Sequence, residues 1–189
     1  MRRCAGAGVV PRDDRNPSPI RVNRAPVLTL WAAVVARRLG HPAATAWSLA
    51  GVVAGTAARA KARRLGLAGE AEGGRDRPAA AAGDTLRLLG RRIVLTRDAD
   101  GVVLAESDGR PAPAAPVAAY VARAFGPRLA EVRAAMEALA GGMAPAELER
   151  VGFRLYEHFR PEVPADVRGW GAKGVLDPAR IAAAAGQPG

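Results

Sequence analysis

Apolar residues recur at helical spacing in several stretches of the chain and at strand spacing in one pair. After Pro26, the residues Val27, Leu30, Trp31, Val34, Val35 and Leu39 fall three or four apart. That spacing predicts a helix with one apolar stripe. Pro26 suits a first turn, where its missing N–H costs nothing. Arg37 and Arg38 fall in the last turn, where cations favour the negative end of the helix dipole, and Gly40 marks the stop. A second helix is expected from about Pro42 to Arg64. Its apolar face is small: Ala46, Ala50, Val53, Ala54 and Ala57. Gly51 and Gly55 leave room there for a neighbouring backbone.

The β pattern is concentrated in "RRIVLT" and "GVVLAE", which flank Asp98-Ala99-Asp100-Gly101. Two β-branched runs around a turn rich in Asp and Gly predict a hairpin. Gly101 supplies the positive φ such a turn needs. "SDGRPAPAAP" then reads as an extended connector. Three helices follow, with stripes Val117–Phe125, Leu129–Leu139 and Leu148–Phe159. They are stopped by Gly126-Pro127, Gly141-Gly142 and "RPEVP". Asp177 is placed to cap a short last helix through Pro178 and Ile181.

The expected fold is therefore α+β and mostly helical. It has an N-terminal helical hairpin, one β-hairpin, a C-terminal three-helix unit and a short last helix. Residues 1–22 read as a disordered tail, 23–66 as the helical hairpin, 67–83 as a linker and 84–189 as the remainder. Residues 23–189 are expected to form one domain.

Composition adds constraints. Hydrophobic residues make up 49% of the 189, enough for a packed core. Aromatics are only 4%, so alanine, valine and leucine must fill that core. The longest apolar runs, "VLTLWAAVVA" and "LAGVVAGTAA", are about half of the ~20 residues that a membrane span requires. Cys4 is the single cysteine, so no disulfide forms within the chain, which fits a reducing cytoplasm. No secretory signal is visible, since "PRDDRNPSP" stands where an apolar core would be.

The net charge is +10, and it is unevenly placed. Residues 1–94 hold 17 basic and 6 acidic side chains, a net of +11; residues 95–189 hold 11 and 12, a net of −1. Only Lys61 and Lys173 are lysines, so part of the arginine reflects a high-GC coding bias. Uniform bias does not produce the polarity, which points to an acidic partner.

Catalytic material is sparse. His41 and His158 have no partners at zinc spacing, although "HFRPE" brings Glu162 near His158. Cys4 lies in the expected tail without a base. Glu147, Glu149 and Glu157 read as a solvated face. Neither a catalytic residue, a metal nor a cofactor is assigned, and the chain reads as non-enzymatic. The glycine-rich "RGWGAKGVLD" contains a literal GxGxxG at Gly169, Gly171 and Gly174, beside Lys173. It lacks a strand before it and an acidic partner after it, so it is a poor dinucleotide cradle. The mechanical reading is stronger: Trp170 pegs the tail and the glycines let the chain turn.

The functional reading rests on "VARRLGHPAATAWSLA", which resembles a helix-turn-helix. Ala36 allows a close crossing, Gly40 a sharp turn, and Ala46 and Leu49 face inward. In that arrangement Thr45 and Ser48 lie on the outer face, and Arg37, Arg38, Arg59, Lys61, Arg63 and Arg64 meet phosphates. The same spacings fit an ordinary αα-hairpin with a basic rim. The leading expectation is a cytoplasmic DNA-associated protein, with a homodimer open. The alternatives are a module with an acidic protein partner, or an enzyme with an anionic substrate at the glycine-rich tail. "NRAPVLTLWAAVVARRLG", "LYEHFRPEVP" and "GWGAKG" also resemble segments of a family of small bacterial proteins of unknown function. That resemblance covers most of the chain beyond the tail and linker, and it implies no activity and no site residues.

Overall fold

A computed structural model describes residues 18–64, 84–164 and 172–186. The expected linker 67–83, the first 17 residues, and Gly169, Trp170 and Gly171 lie outside the described residues. The fold is α+β, with helices around two small antiparallel sheets.

Helix α1, Arg24–Arg38, is the hub. Every residue from Pro26 to Ala36 is buried, because helices α2 (Ala43–Arg64), α3 (Ala114–Phe125), α4 (Leu129–Gly141) and α5 (Pro145–Phe159) all pack on it. The sequence allows this: in that span the polar side chain is Thr29, whose Oγ1 donates to Ala25 O within the helix. The helix stops as expected. Gly40 has φ +94°, its N–H donates to Arg37 O, and His41 N–H donates to Ala36 O. That pair of bonds is a Schellman closure, and the left-handed residue is glycine because a Cβ is disfavoured there.

Helix α2, Ala43–Arg64, folds back along α1 after Leu39–Pro42. Ala46, Leu49, Ala50 and Val53 are buried in the shared core. Gly51 serves helix α3, Ala114–Phe125: a Cβ at Gly51 would lie 2.8 Å from Val117 Cγ2. Helices α4 (Leu129–Gly141) and α5 (Pro145–Phe159) complete the expected three-helix unit. Asp177 caps α6, Pro178–Ala183, its Oδ1 accepting from Ala179 N–H.

The β structure exceeds the expected hairpin. Strands β2 (Thr85–Leu88), β3 (Arg91–Arg97), β4 (Val103–Ser107) and β5 (Arg110–Pro111) form an antiparallel meander in that order. The expected β3–β4 pair is present: Asp98 Oδ1 accepts from Asp100 and Val102 N–H, and Gly101 has φ +79°. The flanking turns Leu89-Gly90 and Asp108-Gly109 each place both residues at positive φ. Such two-residue turns match the strand twist. "SDGR" is thus a hairpin turn and not part of an extended connector.

The second correction concerns the N-terminal tail. Ile20–Val22 forms strand β1 and pairs antiparallel with β6, Gly174–Leu176. Ile20 and Val22 are buried and Arg21 is exposed, the alternation of a half-buried strand. Order therefore begins before Asn23. Apart from Leu104, the buried apolar side chains form one contiguous cluster reaching from Ile20 to Ala184.

Candidate polyanion-binding surface

The residues expected to meet DNA separate into three groups. Arg37 and Arg38 are exposed at the C-terminal end of α1. Arg37 Nη1 donates to His41 O at 3.0 Å. Arg38 reaches across to α4, its Nε donating to Ala140 O at 3.3 Å and its Nη2 to Met143 O at 2.9 Å. It therefore caps the carbonyl end of α4, where a cation also meets the negative end of the dipole. Its charge persists, but its geometry is committed to the fold.

Thr45 and Ser48 cannot read bases. Both are buried, because the face of α2 turned from α1 packs on the sheet and on α3. Thr45 Oγ1 donates to Val103 O at 2.7 Å. Ser48 Oγ donates to Ala112 O at 2.7 Å and accepts from Ala105 N–H at 2.9 Å. These hydroxyls rivet the helix to β4 and to the segment after β5. Ala36, Ala46 and Leu49 are buried as the helix-turn-helix resemblance requires, yet along this half of α2 the exposed side chains are Ala43 and Ala44, which carry no group to read a base edge. Ser48→Ala should cost about 1–3 kcal/mol by leaving a buried donor and acceptor unmatched. Urea denaturation measures it, and a change below about 0.5 kcal/mol contradicts the rivet.

Arg59 and the remaining cations occupy the other end of α2. Arg59 stands 16 residues into the helix, about 24 Å from its start at 1.5 Å per residue. It is therefore remote from Arg37 and Arg38. α2 has 22 residues and α1 has 15, so the antiparallel pair leaves roughly 10 Å of α2 overhanging. Val53 is the last buried residue of α2 among those described. The overhang is "ARAKARR", with Arg59, Lys61, Arg63 and Arg64 as its non-alanine residues. The side chains of Lys61, Arg63 and Arg64 lie outside the described set, while their backbone is helical.

Three ion pairs occur among the described residues: Arg128–Glu131, Arg160–Glu157 and Arg180–Glu162. All join groups in the C-terminal half. The Arg128 guanidinium holds the Glu131 carboxyl below its ordinary range through two hydrogen bonds. Arginines of the N-terminal half with described contacts bind neutral carbonyls, as Arg24 does to Pro161 O. Among the described residues none of them forms an ion pair, although Arg24 lines a groove with Glu157 and Glu162.

No protein-family model, curated protein or solved structure matches this chain. The reading of its chemistry therefore rests on its own geometry.

Glu162 pairs with Arg180, whose Nη2 also donates to His158 O. No cluster of three or more His, Cys, Asp or Glu side chains is found among the described residues. Glu147, Glu149 and Glu157 are exposed on α5. Tyr156 donates to Arg24 O, and burial pushes its hydroxyl up to about 12, so it stays neutral at ordinary pH. In the glycine-rich segment Lys173 is exposed, while Gly174 is buried in β6 against the Glu162 backbone. Among the described residues no helix is long and apolar enough to cross a membrane.

Sequence reasoning overlooked a groove beside α2. Arg110, Asp108 and Pro111–Pro113 join Arg59 there. The Asp108-Gly109 dipeptide was the available signal, because it fixes the hairpin that brings Arg110 back toward α2.

Proposed function

We propose that the protein is a non-enzymatic, cytoplasmic, DNA-associated protein that grips phosphates with the overhanging basic end of α2. The observation that carries this reading is the overhang itself. Four cations occupy two helical turns that extend past α1, with alanine at the intervening positions. Small neighbours let a polyanion approach the helix closely. The buried positions of Thr45 and Ser48 remove the side chains assigned to base contacts, so binding is electrostatic and indifferent to sequence.

Mixed-sequence duplex DNA should bind at low salt and dissociate steeply as salt rises. Changing Arg59, Lys61, Arg63 and Arg64 together to alanine should flatten the slope of log K against log salt by about 3 to 4, roughly 0.9 for each phosphate no longer neutralised. Alanine favours helix, so the variant should remain folded. Fluorescence anisotropy across a salt series reads the slope. An unchanged slope, or no binding by the wild type at low salt, overturns the reading.

A further inference from the structure

Between α2, β5 and the start of α3 lies a groove of about 580 Å³. That volume falls within the range of small-molecule sites. We propose that it binds a small organic acid, a single carboxylate carried on an apolar body. This goes beyond the DNA reading and does not depend on it.

Two glycines on one stripe of α2 shape the groove. Gly51 admits Val117, which closes one end. Gly55 leaves the floor open: a Cβ there would meet only Arg59 Nη1, at 3.8 Å. Val52, Val117 and prolines 111, 113 and 116 supply apolar walls. Proline and small residues hold those walls with little side-chain freedom to lose on binding.

The polar groups define the ligand. Arg59 folds back over Gly55, so its guanidinium lies at the groove and not at full reach from the helix. Arg110 enters from the hairpin turn. Neither guanidinium makes a hydrogen bond or ion pair among the described residues, so both are free to donate. Asp108 lines the same groove, its Oδ2 accepting from Ser107 Oγ at 3.3 Å. Two cations and one anion leave a net of +1, which suits a monoanion better than a polyphosphate. Paired N–H donors on guanidinium match a carboxylate, and the apolar walls give its body somewhere to lie.

Octanoate and 1-octanol serve as probes, differing in the charged head on a similar chain. Isothermal titration of the full chain should show octanoate binding at least about tenfold more tightly than octanol, the worth of a charge-assisted hydrogen bond. Gly55→Leu places a side chain in the open floor and raises helix propensity. It should abolish octanoate binding while thermal unfolding shows an intact fold. Arg110→Ala should weaken octanoate about tenfold. Asp108→Asn keeps a residue tolerant of the observed φ of +53° and removes the repelling charge. It should tighten octanoate. Arg59 is left unchanged, since it also belongs to the DNA surface.

Equal affinity for octanoate and octanol, undiminished binding by Gly55→Leu, or no octanoate binding at about 10 mM overturns the proposal. The salt slope for DNA, measured on Gly55→Leu, should match wild type. The two readings thus fail separately.

Discussion

Gly174→Ala should destabilise the protein by about 3 kcal/mol or more. Gly174 does not sit at positive φ, so its requirement is for space and not for backbone freedom. A Cβ there would lie 2.7 Å from Glu162 O, 2.8 Å from Glu162 C and 2.9 Å from Pro161 Cβ. Two of those three atoms are backbone, held by the bonds Glu162 N–H to Val175 O and Val175 N–H to Glu162 O. Relief requires breaking these bonds or moving β6 away from its bridge. β6 in turn pairs with β1 and carries Leu176 into the core, so the damage spreads to both ends of the chain. Equilibrium urea unfolding gives the global cost. Hydrogen exchange at Val175 and Leu176 shows whether the tail detaches first. Gly101→Ala is the matched comparison: its Cβ meets nothing within 4 Å, and its φ of +79° leaves only a backbone penalty of about 1–2 kcal/mol. Equal costs at the two positions would contradict the steric account.

The legible parts of this fold were those written in neighbouring residues. Gly40 ends α1 and Asp177 caps α6, each through contacts within a turn or two. The β3–β4 hairpin declared itself through Asp98 and Gly101 for the same reason. The β1–β6 pair did not, because its partners are separated by more than 150 residues and each strand has only three. The β2–β3 turn was hidden by a local conflict. Leu89 adopts φ +49°, a region that disfavours leucine, and it does so because its side chain is buried, 3% exposed, against α5. Burying a leucine side chain contributes about 1.5–3 kcal/mol, enough to offset the backbone strain.

The candidate site was legible in charge and illegible in exposure. Helical spacing tells which face of α2 meets α1, but not whether the opposite face meets water. Thr45 and Ser48 are polar, and polarity suggests solvent. They are also small, and each hydroxyl finds a carbonyl on the sheet side of the molecule. Arg38 misleads similarly: a cation at a helix end reads as a phosphate ligand, while the carbonyl end of α4 stands ready to take it. The overhang of α2 was recoverable from length alone, since it follows from comparing two helices.

Trp31→Ala should cost about 3–5 kcal/mol, the range for deleting a buried aromatic. Trp31 is fully buried at the middle of α1, and its contacts tie together elements far apart in sequence. Its ring meets Phe159 edge to face, centroids 5.3 Å apart and planes at 85°, and Phe159 meets Tyr156 in the same manner at 5.9 Å. Its Nε1–H donates to Gly152 O at 2.7 Å. Gly152 bears no side chain because Leu89 Cδ2 would lie 2.8 Å from a Cβ there. One side chain thus joins the hub helix to α5 at the point where the β2–β3 turn plugs in. Phe159 and Tyr156 beside it are themselves buried and held in the core, so relaxation should recover little of the loss. Trp31→Phe separates the contributions. It retains most of the apolar contact and forfeits the N–H, so it should cost less than Trp31→Ala by at least about 1 kcal/mol. Urea midpoints and near-ultraviolet circular dichroism measure both variants. If Trp31→Ala unfolds within about 1 kcal/mol of wild type, α1 is not the hub that organises this fold.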